Sequence, residues 1–102
     1  LMSNYRQGDV ALFQIKKLPL TEELKIEKPN ILARGEATNA THVIENGVVY
    51  EDREGMYVVV DDEGKLVHNR GEGIDGHNTL IIEKGVYRVS IERDFYSRRV
   101  LD

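Results

Sequence analysis

The chain has 102 residues, 40% apolar and 31% charged, with a formal net charge of −4 at pH 7 and no cysteine. Such a balance describes one soluble domain with a modest core, and the missing thiols exclude disulfides and thiolate metal centres. The negative charge argues against a nucleic-acid binder, no apolar run reaches the ~18 residues of a membrane helix, and no leader pattern is present, so a cytoplasmic location is expected.

Leu1 ahead of Met2 reads as an addition to the natural start, and residues 1–102 read as a single β domain. Gly8-Asp9 leads into Val10–Ile15, apolar on both faces and rich in strand formers, as central strands of small barrels are. Residues 16–30 are charged, hold Pro19 and Pro29, and read as a loop or a short strand at 24–26. A further short strand follows over 31–35. Asn46-Gly47 between two apolar runs is a strong hairpin signal, predicting a two-residue type I′ turn with both residues at positive φ. In that register His42 faces Glu51 across the pair.

A turn at Glu54-Gly55 then opens a strand at 56–60, and 61–64 turns the chain into a strand ending at His68, which shares a face with Leu66. Residues 69–76 hold three glycines and read as a loop. From His77 the pattern predicts two strands around a tight turn at 83–85, with Gly85 at positive φ and Tyr87, Val89 and Ile91 alternating with Arg88, Ser90 and Glu92. Turn signals recur every 8 to 12 residues and no helix is convincing. The expected fold is therefore all-β, a small barrel or sandwich of seven to eight short antiparallel strands. Its core would hold Val10, Leu12, Ile44, Val49, Val58, Val60, Leu80, Ile82, Tyr87, Val89 and Ile91.

Charge is uneven along the chain. Residues 45–63 carry seven acids against Arg53 alone, and residues 84–99 carry five bases against Glu92 and Asp94. These runs read either as charged strand edges that discourage pairing or as complementary patches of a homo-oligomer.

The stretches 8–15 (GDVALFQI), 34–42 (RGEATNATH), 66–68 (LVH) and 77–95 together resemble a family of small, largely uncharacterised bacterial and phage proteins. That family reads GDV near its start, then G-E-A-T-G-H-x-H, then H-x-x-H-x-x-I-x-L-x-x-G-x-Y-x-V-x-x-Q-R-E-Y. His77, Leu80, Ile82, Gly85, Tyr87, Val89, Arg93 and Phe95 fall at matching spacings here, and the closing RRVLD is similar too. Ala40 stands where the first histidine of the H-x-H pair would be, Glu92 replaces the glutamine, and the spacing from His68 to His77 is widened to nine. The resemblance implies a fold and candidate positions, and no activity.

Three histidines, His42, His68 and His77, each sit at a strand end, where side chains from different strands can converge at a barrel mouth. As a metal set they would bind zinc or a similar first-row ion, completed by a carboxylate from Glu36, Glu51, Glu72 or Asp75. As a pocket without metal they would donate to an anionic, nucleotide-like ligand, with Arg34 or Arg93 neutralising charge. No nucleophile elbow or phosphate-binding fingerprint is present. The primary expectation is a small binding or accessory module with this histidine-lined site, taking a small-molecule or protein ligand. The alternatives are a metal- or histidine-dependent hydrolase of a nucleotide-like substrate, and a protein-binding module or host-factor inhibitor working through strand edges.

Overall fold

The structure, a computed structural model, describes residues 4–19, 21, 23–28, 30–34, 40–69 and 79–92. Eight strands make one antiparallel sheet: β1 Asn4–Gln7, β2 Val10–Ile15, β3 Lys25–Glu27, β4 Ile31–Arg34, β5 Thr41–Glu45, β6 Val48–Asp52, β7 Gly55–Asn69 and β8 Leu80–Ile91. The order is β1-β2-β8-β7-β5-β4, with β6 pairing both β7 and β3. The expected all-β class and strand number hold, and among the described residues the sheet ends on β1, β3 and β4 rather than closing by pairing.

Three expected turns are absent, and they explain the shape. β8 runs unbroken through 83–85, and Gly85 is not among the residues at positive φ. β7 runs unbroken through 61–64, with only a register shift between Val60 and Glu63. Asn46-Gly47 does not make a hairpin: β5 and β6 pair with different parts of β7 rather than with each other. Asn46 alone takes positive φ, at 58°. Glu45 pairs with Lys65 and Val48 with Val59, so 46–47 on one strand answer 60–64 on the next. The chain over β3 and β4 breaks at the same level, where the Ile44 amide donates to the Asn30 carbonyl and the Asn30 side chain donates to the Gly47 carbonyl.

Neighbouring strands thus bend in one row, as irregularities in a ladder allow. The bend folds the sheet into two leaves that share one core. Leu32, Ala33, Ile44, Leu66 and Ile82 come from one leaf and Val10, Leu12, Val49, Val58, Tyr87 and Val89 from the other. Each leaf alone would expose an apolar face, and the fold buries both. The core matches expectation except at Ile91, which is 40% exposed because it ends β8 at the rim, and Leu80, which is only partly buried.

Tight two-residue hairpins lie at Gly8-Asp9, where Gln7 pairs with Val10, and at Arg53-Glu54, where Asp52 pairs with Gly55, one residue before the turn expected at Glu54-Gly55. Asp52 Oδ1 accepts from the amides of Glu54 and Gly55 at 2.8 and 3.0 Å, the side-chain turn that favours aspartate here. Its other oxygen accepts from the Thr21 hydroxyl at 3.1 Å, tying down the segment before β3.

Candidate functional site

The bend sends β5 along the second half of β7, and this decides the histidines. His42 pairs with His68, and on its other side with Ala33. Glu51 pairs with Lys25 and Met56, so the expected cross-strand pair of His42 with Glu51 does not form. That expectation failed with the turn on which it rested.

Ile44 and Leu66 are opposite one another and fully buried, and His42 and His68 are the next inward-facing rung. Their rings stack with centroids 4.4 Å apart and planes 5° apart. The pair therefore extends the buried face one rung beyond Ile44 and Leu66.

Gln7 holds the stack in place. It reaches in from β1, 5% exposed, and its Nε2 donates to the Leu66 carbonyl at 2.9 Å. A carbonyl only accepts, so this bond orients the amide and leaves Oε1 facing His42 Nδ1 at 2.8 Å. His42 Nδ1 must therefore carry a proton, with Nε2 on the other edge of the ring. That edge lies beside Gly8, whose φ of +58° turns the chain from β1 into β2. His68 is different. It is half-buried, and no described residue hydrogen-bonds its ring.

Replacing Gln7 with Ala should leave the Leu66 carbonyl and the His42 N–H without their partner. The expected cost is about 1–3 kcal/mol, read by urea denaturation, with loss of the slowly exchanging His42 ring proton in the NMR spectrum. A variant as stable as the parent would mean that Gln7 is not the anchor.

The stack also bears on the metal expectation. A ligating nitrogen bonds in its ring plane, and planes 5° apart place one ion in only one of them. A shared ion would need one ring to leave the stack. Among the described residues no group of three His, Asp or Glu side chains is placed to hold a metal. His77, Glu36, Glu72, Asp75 and Arg93 lie outside the described residues, as does the glycine loop at 70–76.

Arg34 and Glu51 meet elsewhere than at the stack. Arg34 pairs with Thr41 and so belongs to the face opposite His42. Both Arg34 and Glu51 line a cleft of about 480 Å³ with Glu27, Lys28, Ile31, Leu32, Ala33 and Met56. Ala33 links the two places, since it also pairs with His42. Within the cleft the Glu51 carboxyl is held above the usual carboxylate range, first by burial and then by the charge and hydrogen bond of Glu27.

A family described as a domain of unknown function, DUF8820, matches residues 6–92. The chain belongs to that family. The DUF8820 match takes in every strand apart from the first two residues of β1, and it covers both the histidine stack and the cleft. No curated protein and no solved structure matches the chain.

Gln7 is the residue that sequence reasoning missed. The signal was there: Tyr5 and Gln7 alternate just ahead of the Gly8-Asp9 turn, which is a short strand with one polar side chain pointing inward.

Proposed function

We propose that this DUF8820 chain is a small binding module of bacterial or phage origin, with a small anionic ligand seated at the histidine stack. The observation behind this reading is the asymmetry of the pair: His42 is buried and anchored through Gln7, while His68 lies half-buried on it, its ring hydrogen-bonded by no described residue. An anchored ring beneath a half-buried one gives a donor whose orientation is already set, which lowers the ordering cost of binding. Imidazole N–H groups suit phosphate and carboxylate oxygens.

The test is a ring-¹⁵N NMR titration of the intact chain with inorganic phosphate, then adenosine monophosphate, then zinc chloride. Saturable shifts of the His68 nitrogens with either anion, lost in His68→Gln, are the expected result. Linear drift without saturation, or shifts that spare His68, would sink the reading. Response to zinc alone, with the stacked-ring signals lost, would move the protein to the metal class.

A further inference from the structure

β2 and β3 lie on opposite sides of β8, β7 and β6, so the chain between them must cross that leaf. Tyr57 shows where the crossing runs. It alternates with the fully buried Val58 and so faces away from the core, yet it is only 7% exposed. Leu18 and Pro19 lie beside it, and with Ile15, Lys17 and Tyr57 they line a cavity of about 380 Å³. That volume falls within the range of small-molecule sites, and apart from Lys17 the walls are apolar or aromatic.

Two cations stand at this cavity. Lys17 is part of its lining, and Arg88 pairs with both Tyr57 and Phe13, which puts it next to the Tyr57 wall on the same outer face. The Arg88 guanidinium lies 5.5 Å from the centre of the Phe13 ring, a contact that keeps it on this face. Both cations are exposed, and among the described residues neither is in an ion pair. The nearby acids are at the far end of Tyr57. Its hydroxyl leans back toward the Asp52–Gly55 turn, where a Cβ on Gly55 would lie 3.6 Å from that oxygen. There Asp52 is taken up by two turn amides and the Thr21 hydroxyl, which leaves Glu54 as the exposed acid of that end.

We propose that this cavity binds a small aromatic carboxylate, its ring against Leu18, Pro19 and Tyr57 and its carboxylate turned toward Lys17 and Arg88. An aromatic ring gains more against the Tyr57 ring than an alkyl chain of equal area does. The cations attract a negative group at one end and Glu54 repels it at the other, so the ligand has one orientation. His42 and His68 face inward on the other leaf, which makes this a second site.

The chain holds no tryptophan, so the emission of indole-3-acetate reports its own binding to the intact protein. A saturable change with Kd below about 1 mM is expected, weakening as salt is raised. The neutral analogue indole-3-acetamide should bind about tenfold more weakly. Lys17→Gln and Arg88→Gln should each weaken the acid several-fold, with circular dichroism and melting unchanged. Equal binding of acid and amide would overturn the proposal, as would no saturation by about 5 mM. Loss of binding in His68→Gln with Lys17→Gln unaffected would also overturn it, by assigning the probe to the histidine stack.

Discussion

Replacing Tyr87 with Ala should cost about 3–5 kcal/mol, a large share of the roughly 5–15 kcal/mol that holds a domain of this size together. Tyr87 is fully buried and is the largest of the fully buried side chains. Its ring meets Tyr5 edge-on, with centroids 5.8 Å apart and planes at 68°. Its hydroxyl donates to the Glu83 carbonyl at 2.7 Å, while the Glu83 amide donates to the Tyr5 hydroxyl at 3.1 Å. β2 pairs with β8 only from Val86 onward, so the first half of β8 lacks a strand on that flank among the described residues. The two tyrosines supply at Glu83 the hydrogen bonds that a neighbouring strand would have made. Tyr87→Phe keeps the ring and loses the donor, so it should cost about 1–3 kcal/mol. Thermal or urea unfolding of both variants decides the matter. Equal losses for Phe and Ala would mean that the hydroxyl, not the ring, carries the effect.

The same residue fixes a pH response. Burial, and then the neighbouring Tyr5, hold the Tyr87 hydroxyl above the ordinary phenol range. A raised value in the folded state means that the unfolded chain gives up this proton first. Stability is therefore complete below the ordinary phenol value of about 10 and falls as pH rises through and beyond it. Alkaline unfolding followed by tyrosinate absorbance should begin there in the parent and be reduced in Tyr87→Phe, with burial of the Tyr57 hydroxyl, also raised, accounting for part of what remains.

Gly47→Val should also be strongly destabilising, by about 1–3 kcal/mol from overpacking. A Cβ at this position would lie 3.1 Å from Ile44 Cγ1 and 3.3 Å from the Val59 carbonyl oxygen. The damage comes from crowding at the bend, not from backbone strain, since Asn46 rather than Gly47 holds the positive φ. A denaturation midpoint equal to the parent's would show that the bend can open to admit a side chain. Gly47→Ala should then cost less than Gly47→Val, as a smaller group meets the same neighbours.

Much of this protein was determined by local pattern alone. Period-two alternation over Tyr87 to Glu92 and the apolar run Val10–Ile15 identify strands because a half-buried strand needs that pattern whatever lies beside it. The same reasoning finds most of the core and the all-β class. Composition excludes disulfides and thiolate metal sites for the equally local reason that no thiol exists. Placing His42 and His68 at strand ends was also legible.

Which strands lie side by side was not. Asn46-Gly47, 61–64 and 83–85 carry turn residues, and an isolated hairpin would turn at each of them. In the folded chain they lie in one row, where turning would leave two flat leaves with bare apolar faces. Bending buries both faces against each other, and that gain spans the whole sheet while a turn preference is local. Tertiary packing therefore overruled the local signal at these places and exchanged Glu51 for His68 as the partner of His42, while the turn expected near Glu54-Gly55 forms one residue earlier. It also brought Gln7, 35 residues before His42, within hydrogen-bond reach of it. Only burial of both leaves together could make that contact, because no pattern within β1 names the strand its glutamine will meet.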